Sequence, residues 1–124
     1  MTSALDFADC RDCLCLAARN HAQRLTRLFD EKLRPFELTI NQYSLLTALI
    51  LGGPTTVSEM ADRLGVERTT LTRNLALVSA RQLVAVNPGE DARERVITLT
   101  PKGWAVAEAA LPAWKAAQAE ASAS

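Results

Sequence analysis

A mainly α fold carrying one small β-hairpin is predicted by three features of this 124-residue sequence. Two helical patterns with capping signals are separated by a turn of only Gly65-Val66. Two β-type runs joined by a polar stretch follow directly, and longer helical patterns flank the whole at either end. The length suits one compact domain, residues 1–124.

The first segment, about Asp6 to Arg34, contains neither Gly nor Pro. Leu14, Ala17, His21, Leu25 and Leu28 recur at three- and four-residue spacings, one face of a helix. Cys15, Ala22, Phe29 and Leu33 form a second apolar set on an adjoining face, and Pro35 is expected to stop the helix. At about 1.5 Å per residue such a helix is ~43 Å long, beyond the ~30–35 Å breadth of a domain this size. A helix longer than its domain and apolar on two faces predicts burial against a second copy.

Thr39 with Gln42 fits a capping box opening a helix that carries Tyr43, Leu46, Leu49 and Ile50 and ends at Gly52-Gly53-Pro54. Thr56 with Glu59 repeats the box, followed by Val57, Met60, Ala61 and Leu64 at helical spacing and by Gly65 as the stop. A third helix carries Leu71, Leu75 and Val78 on one face. Two short helices joined by a tight Gly-containing turn are a helix-turn-helix signature. Leu83 to Val86 and Val96 to Leu99, joined by residues 87–94, read as a hairpin, or wing. The fold predicted is therefore a winged helix-turn-helix. Thr100 as N-cap and Pro101 in the first turn start a last helix. Trp104, Ala107, Leu111 and Trp114 form a sparse stripe along it, and Pro112 is expected to kink it.

Fourteen basic and fourteen acidic residues leave no net charge, so a nucleic-acid partner must be argued from local placement. The third helix supplies it. With Leu71, Leu75 and Val78 buried, Thr69, Arg73 and Ala76 face outward, flanked by Thr70 and Thr72, and Arg68 sits in the first turn. Arginine can fork onto guanine O6 and N7, and threonine offers a hydroxyl and a methyl to base edges. Arg68, Arg73 and Arg81 against Glu67 make the helix locally positive. A merely solvated face is the competing account, but threonine lowers helix propensity, so the Thr-rich run calls for a reason. In the wing, Asp91, Arg93 and Arg95 are interleaved. An arginine at a hairpin tip suits a narrow minor groove, with Asp91 pairing Arg95 or capping the turn to aim it. A protein-interaction module without DNA binding is the alternative for such a fold, and it would be expected to show acidic or apolar residues on this helix face.

Catalysis has no support: there is one histidine, no Gly-rich phosphate loop and no nucleophile paired with a base. No cofactor or metal is expected. A basic-then-apolar leader is lacking, and the apolar run around Leu45 to Leu51 is too short for a bilayer. With Cys10, Cys13 and Cys15 crowded within six residues, this points to a reducing cytoplasm and free thiols.

The stretches LTINQYSLLTAL, TVSEMADRLGVERTTLTRNLALVSARQLV and EDARERVITLTPKGWAV resemble the MarR family of bacterial regulators over about residues 10–118. The resemblance implies a homodimer through the first and last helices (about 6–34 and 101–119), with a DNA-binding part at about 39–99. It implies a palindromic double-stranded operator, usually held by a repressor that a small-molecule effector or thiol oxidation releases. The recognition positions carry over to Arg68, Thr69, Thr70, Thr72 and Arg73, and the minor-groove arginine to Arg93. An apolar cavity between the first, second and last helices is implied for the effector. The family continues into a further C-terminal helix completing the dimer clasp, whereas this sequence stops at AQAEASAS. Glu67 stands where Asp or Ser commonly caps the recognition helix, and it is a weaker cap.

The segment LCLAARNHAQRLTRLFDEKL is similar in spacing to the hydroperoxide-sensing branch, placing a reactive cysteine at Cys15. Phe29 and Ile40 stand where that branch supplies tyrosine hydrogen bonds, and they donate none. The residues favour a buried, inert cysteine over a redox sensor. On a single helix Cys15 points about 140° from Cys10, so with Cys13 and His21 the set converges on a soft metal only across a dimer.

Overall fold

The computed structural model describes residues 6–91 and 93–123. Among these described residues, five α-helices and three short strands follow in chain order. They are α1 (Leu14–Leu33), α2 (Ile40–Gly52), β1 (Thr55–Thr56), α3 (Val57–Leu64), α4 (Arg68–Ala80), β2 (Val84–Pro88), β3 (Arg95–Leu99) and α5 (Pro101–Ala123).

The predicted first helix is shorter than expected. Residues Ala8–Asp12 form a 3-10 turn, and Cys13 adopts extended backbone (φ −61°, ψ 113°) before α1 begins. The 20 residues of α1 span about 30 Å, so its length alone no longer argues for a second copy. Its exposure does. Phe29 and Leu33 are buried, whereas Leu14, Ala17, Ala22 and His21 are all exposed and Leu14 retains 86% of its surface. The C-terminal half of α1 packs on α5, where the Phe29 and Trp114 rings lie 6.3 Å apart and Lys32 meets Glu120 at 3.2 Å. Pro35 sits within a second 3-10 turn, Arg34–Phe36, which Glu37 ends in the left-handed region (φ 56°).

Two independent contacts start α2. The Thr39 hydroxyl accepts from the Gln42 N–H at 3.2 Å, and the Gln42 side chain accepts from the Thr39 N–H at 3.1 Å. Asp30 of α1 accepts from the Ile40 N–H at 2.7 Å, placing a carboxylate on the positive end of α2. The second predicted box is only half formed. Thr56 accepts from the Glu59 N–H, but the Glu59 carboxylate takes the neighbouring Thr55 hydroxyl at 2.8 Å. Thr55 and Thr56 are engaged in β1, so the box geometry gives way to the strand.

Strand order is β1-β3-β2, all antiparallel, with Thr55 opposite Ile97 and Val86 opposite Ile97 on its other side. The predicted hairpin strands each extend by a residue or two toward the tip, and β1 adds a third strand. Leu45, Leu46, Met60, Leu71, Val78, Leu83 and Ile97 make a continuous buried core joining α2, α3, α4 and the sheet. Deleting one such leucine to alanine costs about 2–5 kcal/mol.

Thr100 caps α5 by accepting from the Gly103 N–H at 3.0 Å, with Pro101 as the first helical residue. Gly103 is required by a close approach: a Cβ there would overlap the Leu83 carbonyl oxygen. The helix runs unbroken through Pro112 to Ala123. No helix among the described residues is long and apolar enough to cross a membrane.

Candidate nucleic-acid interface

The turn between α3 and α4 is set by Gly65, whose left-handed backbone (φ 64°) any side chain would strain. Its N–H and that of Val66 return to the Asp62 and Ala61 carbonyls, each at 3.2 Å, closing α3 in a Schellman-type cap. The chain then enters α4 through Glu67, which makes no side-chain capping bond, in keeping with its weakness as a cap.

Leu71, Leu75 and Val78 lock one side of α4 into the core, which forces the opposite side outward. Arg68, Thr69, Thr72, Arg73 and Ala76 are exposed, whereas Thr70 is half-buried. The Thr72 hydroxyl donates to the Arg68 carbonyl at 2.8 Å, leaving its methyl group and lone pairs for the outside. Leu77, 51% exposed, joins this surface. Periodicity missed it because leucine is read as core. Arg81, counted in the sequence among the cations that make the helix locally positive, donates to the Phe36 and Glu37 carbonyls. Arg68 and Arg73 are left as the helix's outward cations.

The wing is closed by backbone bonds from Gly89 to Glu94 and from Glu94 to Asp91, at 3.0 and 2.9 Å. Of the two roles open to Asp91, its carboxylate takes the turn: it accepts from the Arg93 N–H at 3.0 Å. Arg93 is exposed at the tip, and Arg95 is exposed at the start of β3, opposite Pro88. The Glu94 side chain lies against Gly89, where an added Cβ would meet both it and Val96.

Cys10, Cys13 and Cys15 are free and exposed, which corrects the expectation of a buried, inert Cys15 within the chain. The single-helix geometry used to separate them also fails, because Cys10 lies in the 3-10 turn and Cys13 in the break. Among the described residues no group of three His, Cys, Asp or Glu side chains is gathered to hold a metal.

An apolar groove of about 610 Å³ lies between α2 and α5, lined among others by Tyr43, Ile50, Leu51, Trp104, Leu111 and Trp114, with Glu108 the only charged residue in its wall. This differs from the implied cavity between the first, second and last helices, because α1 contributes none of the lining. Tyr43 donates weakly to the Ala107 carbonyl at 3.4 Å, and burial pushes its phenol above the usual tyrosine range.

Comparison with known proteins agrees with this architecture. The uncharacterized HTH-type transcriptional regulator YwoH of Bacillus subtilis is 35% identical over 79 residues, 64% of this chain and 58% of its own length. The HTH-type transcriptional repressor NicR of Pseudomonas putida is 30% identical over 95 residues, 76% of this chain and 60% of its own. The chain therefore spans about 58–60% of the length of these curated relatives. The M. tuberculosis transcriptional regulator MosR, solved in complex with DNA, is 46% identical, covering 91% of this chain and 83% of its own, with a TM-score of 0.83. Residues 36–94, which run from the 3-10 turn before α2 through the wing tip, match the MarR family, and with the winged helix-turn-helix built on them the chain belongs to that family.

Proposed function

We propose that this chain is a sequence-specific, DNA-binding transcriptional regulator that holds a palindromic operator as a homodimer. The observation that carries this reading is the outer face of α4, where Arg68, Thr69, Thr72, Arg73 and Ala76 stand exposed on a helix whose other side is fixed in the core. Such a face suits base edges in a major groove, and Thr70 at its margin suits phosphate. Arg93, exposed at the wing tip with Arg95 behind it, suits the adjacent minor groove. The 46% identity to MosR, seen with DNA, supports the same reading. The exposed N-terminal half of α1, together with α5, is the surface for the second copy. The chain is read as a binding protein rather than an enzyme, at work in the cytoplasm as a repressor.

For release, two receivers are proposed. One is the α2–α5 groove, whose apolar walls suit a small aromatic effector. The other is the exposed thiol set, with Cys15 first and Cys10 and Cys13 beside it. Peroxide that releases DNA from wild type but not from Cys15→Ser assigns the signal to that thiol, and equal release of both removes it.

Binding to a selected operator tests the DNA reading. Arg73→Ala and Arg93→Ala are each expected to weaken it by about 1–3 kcal/mol at fixed salt, with the dimer intact. Wild-type affinity in both variants overturns it.

A further inference from the structure

Arg81, at the C-terminal end of α4, turns its side chain away from the outer face toward the connection between α1 and α2. Its guanidinium donates to the Glu37 carbonyl at 2.5 Å and the Phe36 carbonyl at 3.2 Å, and the Glu37 carboxylate lies 3.9 Å away. The carbonyls it grips belong to a strained place, since Glu37 holds left-handed backbone (φ 56°) without being glycine.

The next two residues are gripped from the other side. Gln82 is left-handed (φ 61°), and the Thr100 hydroxyl reaches the Gln82 carbonyl at 2.6 Å and the Leu83 carbonyl at 3.0 Å. The Thr100 N–H donates to the Leu83 carbonyl at 3.1 Å, and Gly103 packs against that same carbonyl. Residues Arg81 to Leu83 also form the chain connection between α4 and β2. Three consecutive residues thus tie the recognition helix and the wing to the connection that follows α1 and to the head of α5.

We propose that Arg81 is a positioning residue that sets the angle of α4 and the wing against α1 and α5, and thereby the half-site spacing the dimer accepts. The inference rests on the operator-binding reading above. Where α1 and α5 join two copies, the separation of the two α4 helices follows from how each is held against them. Two guanidinium donors on two successive carbonyls fix a direction, whereas a lysine ammonium supplies a point charge without that fork.

The test uses the inverted repeat that the wild-type chain selects, with its spacer changed by one base pair in either direction. Each change rotates one half-site by roughly 34°, one turn being about 10.5 base pairs. Wild type is expected to lose about tenfold or more in affinity on either altered duplex. Arg81→Ala is expected to lose about tenfold on the selected spacing while discriminating among the three by less than about threefold. Arg81→Lys falls between them, and it decides the matter if the alanine variant does not fold. The inference is overturned if the folded variants keep the wild-type spacing preference. Equal loss on every spacing, the pattern of lost stability or a lost DNA contact, overturns it as well. A wild-type chain that selects no repeat overturns the operator reading, and this inference with it.

Discussion

The carboxylate of Asp91 accepts a hydrogen bond from the backbone N–H of Arg93 at 3.0 Å, so the outermost arginine of the wing is presented by an Asx-type turn. Asp91→Ala removes that bond while leaving Arg93 in place. It is expected to weaken operator binding by about 0.5–1.5 kcal/mol, less than Arg93→Ala does. In the double variant the two effects should not add, because Asp91 acts through Arg93. Fluorescence anisotropy on the four proteins of the cycle measures the coupling, and full additivity would separate Asp91 from the tip.

Gly103 faces the Leu83 carbonyl with no room for a Cβ. Gly103→Ala is expected to lower stability by about 1–3 kcal/mol or more, because either α5 or the start of β2 must move. Chemical denaturation measures it. An unchanged midpoint would mean that the two elements are not held this closely.

Helix α2 is capped twice, by Thr39 from its own segment and by Asp30 from α1. Asp30→Asn keeps the shape and removes the charge, and Asp30→Ala removes the acceptor. A loss of about 1 kcal/mol is expected for Asp30→Ala, with Asp30→Asn in between. Equal stability of all three would show that Thr39 alone suffices.

Burial raises the Tyr43 phenol above its ordinary value of 10.0. The unfolded chain then releases this proton at lower pH than the folded chain. Stability from neutral Tyr43 is fully present below about pH 10 and is lost as pH rises through the folded value. Unfolding curves should therefore show wild type losing stability relative to Tyr43→Phe as pH rises above about 10. Parallel curves would show that Tyr43 ionises as freely folded as unfolded.

Local signals carried most of the architecture. The Thr39–Gln42 box, the Gly65 turn and the buried Leu71–Leu75–Val78 stripe are written within a few residues of where they act, and the structure contains all three. The break at Cys13 carries no Gly or Pro to announce it, and β1, two residues long, is too short to alternate. Glu59 was open to either threonine, and only the strand decides for Thr55. Arg81 and Glu37 stand 44 residues apart, so nothing along the chain tells that this arginine leaves the outer face of α4. Leu77 was hidden for the opposite reason, since its exposure contradicts its residue type.

The central claim is that α4 and the wing read a two-fold DNA site, and selection of random duplexes by the purified chain tests it most directly. The account predicts enrichment of an inverted repeat whose half-sites lie about one helical turn apart, 10–10.5 base pairs centre to centre. It also predicts that Arg73→Ala relaxes the preference at one position in each half. Enrichment of no sequence over the starting pool at physiological salt would contradict it.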